Sequence, residues 1–143
     1  HIERLIKVAE TLMDNGAKYS TRPNPPYSFD CSRFTAYCLS QVGVSVIAEV
    51  QAQGRSNIGR KITITNNKNY NELKRGDILF FWSSDHKKKP GHAAIYLGGN
   101  RFIHASSSEG EVTISKFSTY NTAKRKESKF NPPWFLWAIR IWE

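Results

Sequence analysis

Gly91-His92-Ala93-Ala94-Ile95-Tyr96-Leu97-Gly98-Gly99-Asn100-Arg101-Phe102-Ile103-His104-Ala105-Ser106 decides the architecture of this chain. Two apolar runs, 92–97 and 101–106, flank Gly98-Gly99-Asn100, a turn signal. A connection this short joins antiparallel strands, because a parallel crossover needs a dozen residues or more. With a three-residue loop, Leu97 pairs with Arg101, Ile95 with Ile103 and Ala94 with His104. His104 then shares a face with His92 and lies diagonal to it, about 7–8 Å away by Cα. A loop of two or four residues would put the two rings on opposite faces, since side chains alternate along a strand.

Outward from this hairpin, the C-terminal half keeps a strand-like period. Further strands are predicted at 61–65, 77–82, 112–115 and 134–142. In the last, Phe135, Trp137, Ile139 and Ile141 alternate onto one face. The N-terminal half reads differently. Ile2, Leu5, Ile6, Ala9, Leu12 and Met13 form the stripe of an amphipathic helix over 2–14, with Gly16 as terminator. Pro23, Pro25 and Pro26 make 17–29 a loop. Asp30 is an N-cap for a second helix that buries Phe34, Tyr37, Cys38 and Val42 and ends at Gly43. A weaker helical stretch covers 47–53. Helices followed by closely spaced strands predict an α+β fold, with N-terminal helices packed on a mostly antiparallel sheet of five or six strands.

The 143 residues suffice for one hydrophobic core, so 1–143 is expected to be a single domain. Aromatic residues make up 13%, which argues against disorder. The apolar runs reach about five residues, where a membrane helix needs ~20. Lys and Arg (21) exceed Asp and Glu (12) to give a net charge of +9, which suits an anionic partner: nucleic acid, a membrane surface or a cell-wall polymer. The runs Lys87-Lys88-Lys89 and Lys124-Arg125-Lys126 read as solvated loops. The chain opens His1-Ile2-Glu3-Arg4, without an initiator Met or an apolar leader, as a mature protein or an excised domain would. On one helix, Cys31 and Cys38 would stand ~10 Å apart, beyond the ~7 Å limit for a disulfide, so free thiols are expected.

Cys31 carries the strongest chemical signal. Directly after the cap Asp30, it falls in the first turn of a helix, where unpaired N–H groups and the helix dipole favour a thiolate. A thiolate is the nucleophile of a cysteine hydrolase. A buried structural role is the commoner fate of a lone cysteine, and it is the reading for Cys38. His92, rigid at a strand start, can act as base, and His104 can accept its ring N–H and fix its tautomer. His1 and His86 are expected to be uninvolved. No CxxC or HExxH spacing suggests zinc. The run Gly54–Arg60 lacks the Lys-Ser/Thr end of a phosphate loop. The aromatics of 80–82 and 134–142 read as core rather than as base-stacking platforms. The chemistry needs no cofactor or metal.

Four blocks, Phe29-Asp30-Cys31-Ser32, Gly76-Asp77-Ile78-Leu79-Phe80-Phe81, Gly91–Gly98 and Phe102-Ile103-His104-Ala105-Ser106, occur in the order in which similar blocks occur in the NlpC/P60 cysteine peptidases. The chain resembles that family over about residues 12 to 115. The resemblance implies a papain-like fold with Cys31 as nucleophile, His92 as base and His104 as orienting residue. Tyr19, Asp30 and Ser32 would lie at the substrate end of the site. It implies hydrolysis of peptidoglycan stem peptides, typically at the bond from D-γ-glutamyl to a diamino acid or Lys, by a secreted or wall-associated protein of bacterial or phage origin. Stem peptides and anionic wall polymers would be its partners, with no nucleic acid, no membrane span and a monomeric state. Arg33 stands where the family usually has Gly, and Ser20-Thr21 where it often has a glycine pair. Rival readings are a CHAP-like amidase or endopeptidase, and a non-catalytic basic module that binds wall or nucleic acid. The Ile103-His104-Ala105-Ser106 block favours NlpC/P60 over the first. The lecithin–retinol acyltransferase class is set aside because there the His precedes the Cys.

Overall fold

A computed structural model describes residues 1–64, 70–83, 88–121 and 134–143. The N-terminal elements are α1 (Ile2–Asp14), β1 (Lys18–Tyr19), β2 (Ser28–Phe29), α2 (Cys31–Ser40) and α3 (Val50–Gly54). The strands β3 (Arg60–Ile62), β4 (Ile78–Trp82), β5 (Pro90–Gly98), β6 (Arg101–Ser106), β7 (Glu111–Lys116) and β8 (Phe135–Arg140) follow. Among the described residues no helix is long and apolar enough to cross a membrane. The fold is α+β, as the alternation of patterns predicts.

Helix α1 obeys its sequence signals, whereas α2 ends at Ser40, short of Gly43, and the stretch expected at 47–53 is helical over Val50–Gly54. Leu5, Ile6, Ala9 and Leu12 of α1 are buried, while its N-cap His1 makes no side-chain capping bond. Each buried Leu or Ile is worth about 1.5–3 kcal/mol, against about 1 kcal/mol for a cap. Packing, not capping, therefore holds α1. The His1 ring stacks on Trp142, 5.9 Å between centroids. In α2, the Asp30 side chain accepts from the Arg33 backbone N–H at 2.9 Å, which makes Cys31 the first helical residue. Gln53 of α3 secures that end of α2. Its Nε2 donates to Ser32 O and Ile47 O, both at 3.0 Å, and its Oε1 accepts from the Thr35 hydroxyl.

One sheet of eight strands is formed among the described residues, in the order β2-β1-β7-β6-β5-β4-β8-β3. This corrects the expected five or six. The additions, β1 and β2, are two residues each and run parallel to one another inside the proline-rich segment. They are too short to leave a period in the sequence. All other pairings are antiparallel. The 61–65 strand is observed over Arg60–Ile62, and its position 65 lies outside the described residues. The basic run 124–126, His86 and Lys87 also lie outside them.

Every residue of β4 is buried, because both faces of the sheet are covered. Ile78 and Phe80 pack with α1 and α2, while Leu79, Phe81 and Trp82 join a second cluster with Phe102, Phe117 and Phe135. Leu136 is an extra residue between the pairs Phe80↔Trp137 and Phe81↔Phe135. This bulge moves Phe135 into the second cluster, away from Trp137, Ile139 and Ile141, and corrects the single face expected for β8. Where β4 begins, Asp77 is drawn into a buried, bidentate pair with Arg140 of β8, with both N–O distances 2.8 Å. Its Oδ2 also accepts from Lys74 N, which closes the preceding turn.

Candidate active site

The turn of the β5–β6 hairpin is shorter than expected. Gly98 pairs with Arg101, so the loop is Gly99-Asn100, and both residues have positive φ, 57° and 66°, as a type I′ turn requires. By itself such a turn would separate the two histidines. However, Leu97 is an extra residue between the pairs Tyr96↔Phe102 and Gly98↔Arg101. The bulge restores the parity, Ile95 pairs with Ile103 as expected, and His92 and His104 share a face. His92 Nε2 lies 2.8 Å from His104 Nδ1.

A second bulge sits beside His92. Phe81 pairs with His92 but Trp82 pairs with Pro90, which leaves Gly91 as the extra residue. A Cβ at Gly91 would stand 2.2 Å from Ser83 Cα, so only glycine lets these backbones approach. The Gly91 carbonyl faces the first residue of α2, with its oxygen 4.0 Å from Cys31 Sγ. Cys31, Gly91, His92, His104 and Tyr19 line one cavity of about 200 Å³, together with Trp82, Tyr120, Trp134 and Ser106 to Ser108. A larger cavity of about 530 Å³, between α1 and the C-terminal part of α2, holds neither Cys nor His.

The electrostatics differ from the sequence expectation. Burial pushes the Cys31 thiol up from its ordinary pKa. The backbone at Ala93, Ser32 and Cys31 itself opposes this, and the Asp30 charge adds to it. The helix start is therefore outweighed by desolvation, and a thiolate here needs a cation beside it. Burial also raises Tyr19, with further contributions from Cys31 and Asp30. Cys38 is buried and its thiol is pushed far up by desolvation, as suits a core residue. Both cysteines are free.

Of the other residues singled out in the sequence, Asp30 and Ser32 flank Cys31 without lining the cavity. The Asp30 carboxylate caps α2 and pairs with Arg33 Nη1 at 2.7 Å, and Ser32 is buried. Arg33, at the position where glycine is usual, is thus engaged with the cap. Sequence reasoning missed Tyr120, whose ring stacks on His92 at 6.0 Å, and Ser115, whose Oγ lies 2.9 Å from His104 Nε2. No local pattern announces either one; the pairing of β7 with β6 brings Ser115 to His104. No group of three or more His, Cys, Asp or Glu among the described residues could hold a metal ion.

The model of the NlpC/P60 family matches residues 16–128, a span that contains Cys31, His92 and His104. The chain belongs to the NlpC/P60 family. Among curated relatives, it is 34% identical over 116 residues to a probable endopeptidase NlpC homolog of Haemophilus influenzae, covering 77% of this chain and 56% of the relative. It is 36% identical over 94 residues to a gamma-DL-glutamyl hydrolase of Bacillus subtilis, covering 66% of this chain and 21% of that protein. The chain thus spans about half the first relative and about a fifth of the second. Among solved structures it is similar to the NlpC/p60 domain of the peptidoglycan hydrolase SagA, with TM-score 0.69, 26% identity and 98% of each chain covered.

Proposed function

We propose that this NlpC/P60 domain is a cysteine endopeptidase that hydrolyses amide bonds in peptidoglycan stem peptides, with Cys31 as nucleophile, His92 as base and His104 as orienting residue. The observation that carries the reading is the 2.8 Å contact of His92 Nε2 with His104 Nδ1 in a cavity shared with Cys31. In this reading Nε2 faces His104, and Nδ1 is the ring nitrogen assigned to exchange a proton with the thiol.

In the mechanism, the Cys31 thiol passes its proton to His92, and the resulting thiolate and imidazolium stabilise each other. The sulfur adds to the scissile carbonyl carbon, and the backbone N–H of Cys31 at the start of α2 stabilises the oxyanion. The C–N bond breaks as His92 returns the proton to the leaving amine. His92 then takes a proton from water, whose oxygen attacks the thioester. The acid product leaves and the thiol is regenerated.

The finer assignment is the bond from D-γ-glutamyl to a diamino acid or Lys, in a wall-associated protein. It is supported by relatives named gamma-DL-glutamyl hydrolase and peptidoglycan DL-endopeptidase. Tyr19, on the cavity wall, is assigned to substrate contact. Asp30 and Ser32, beside the nucleophile, are assigned to the same end of the site through the backbone they shape.

Digestion of purified peptidoglycan, with released fragments identified by mass spectrometry, tests this. The wild type should release fragments cut within the stem peptide, and Cys31→Ala should release none. Equal release by Cys31→Ala removes Cys31 as nucleophile. No release by the wild type would leave a wall-binding module instead.

A further inference from the structure

We propose that Ser115 is a positioning residue. Its hydroxyl accepts a hydrogen bond from His104 Nε2 and so holds His104 in the tautomer that lets His92 carry a positive charge. The inference rests on the triad reading above and extends it by one residue.

Three observations converge on it. Ser115 Oγ lies 2.9 Å from His104 Nε2, and His104 Nδ1 lies 2.8 Å from His92 Nε2, so the three side chains form one chain of hydrogen bonds. His104 is 1% exposed, which denies bulk water the role of substitute partner. Aromatic rings also pack on it, with Phe102 at 4.7 Å and Tyr120 at 5.6 Å between ring centroids. Among the described residues, the titratable groups that line the cavity with the pair are Cys31 of α2, Tyr19 of β1 and Tyr120. No carboxylate lines the cavity among the described residues. The Asp30 carboxylate beside Cys31 is engaged by Arg33.

Proton bookkeeping sets the direction of the chain. An imidazolium at His92 bears N–H on both ring nitrogens, so its Nε2–H must donate to His104 Nδ1. That nitrogen can accept only if the proton of a neutral His104 sits on Nε2. The Nε2–H then needs an acceptor, and the Ser115 hydroxyl is in place for it. Without the hydroxyl, the buried Nε2–H loses this acceptor, and the tautomer with the proton on Nδ1 gains. His92 Nε2 must then accept, which puts the His92 proton on Nδ1, where it blocks transfer from the thiol.

The test compares wild type with Ser115→Ala and Ser115→Thr. Long-range ¹H–¹⁵N spectra of the imidazoles report the His104 tautomer, and kcat/KM on a peptidoglycan stem peptide is followed against pH. The wild type should show the proton on Nε2. In Ser115→Ala the other tautomer should appear. Activity should fall about tenfold, the scale of one lost hydrogen bond, and the alkaline limb of the profile should move to lower pH. Ser115→Thr should restore all three. The same His104 tautomer in wild type and Ser115→Ala would overturn the proposal. So would a loss of activity that Thr does not rescue, or a tautomer change with unaltered kcat/KM. If Ser115→Ala does not fold, the matched pair Ser115→Thr and Ser115→Val, alike in shape and differing in the hydroxyl, replaces it. The spectra need no turnover, so failure of the hydrolase reading, seen as release by Cys31→Ala or none by wild type, stays distinct from failure of this one.

Discussion

At the scale of single residues, Cys31 is held between two opposed influences. Its place at the start of α2 favours a negative sulfur, and its burial disfavours one more strongly. The sign follows from desolvation: a raised thiol pKa means the neutral form persists to higher pH than in an exposed cysteine. Reactivity near neutrality then depends on the proton acceptor, and His92 is the candidate. With His92→Ala, alkylation of Cys31 by iodoacetamide should become appreciable only above the ordinary thiol range, about pH 8.5. The wild-type sulfur should still react at pH 6–7. Matching pH profiles for the two proteins would show that His92 does not ionise the thiol. Cys38, sealed in the core, should stay unmodified in both.

At the scale of elements, bulges aim the site. Leu97 corrects the parity of a two-residue turn, and Gly91 turns the start of β5 so that its carbonyl meets Cys31 Sγ. Both are single-residue insertions, Gly91 next to His92 and Leu97 at the turn between the two histidines, and bulges re-aim side chains. Gly91→Ala should be costly because the new Cβ meets Ser83 backbone at 2.2 Å, and backbone cannot rotate away as a side-chain tip can. Overpacking of this kind destabilises by about 1–3 kcal/mol. The urea midpoint should fall accordingly, with the slope of the transition unchanged. A midpoint equal to wild type would mean that the strands part at this point with little resistance.

For the molecule as a whole, the +9 net charge acts at longer range than any contact in the cavity. If it draws the domain to anionic wall polymer, binding to purified cell walls should weaken steeply between 50 mM and 500 mM NaCl, as the screening length shrinks from roughly 14 Å to 4 Å. Cleavage of a short soluble stem peptide should change far less. Wall binding that is indifferent to salt would remove electrostatics as the source of attraction. The buried Asp77–Arg140 pair works at this scale too. It joins the segment before β4 to β8, residues far apart in the chain, and so fixes the strand that carries Ile78 and Phe80 under both layers of core.

Local patterns were enough for α1, the capped start of α2 and the existence of the hairpin, because caps, turns and periodicity act over a few neighbours. Cys31, His92 and His104 could be singled out as candidates on that basis, and the structure places all three on one cavity. The sequence was silent where long-range packing chose the outcome. The two-residue strands β1 and β2 exist only because β7 offers an edge to pair with. The bulges at Leu97 and Leu136 answer the fit of whole strands against neighbours rather than the character of those residues. Ser115 reaches His104 through the register of β6 and β7. The Cys31 pKa rises because the sheet and its neighbours take water away from a helix end that, in isolation, would stabilise charge. Desolvation is a property of the assembled fold, so only the tertiary structure could decide it.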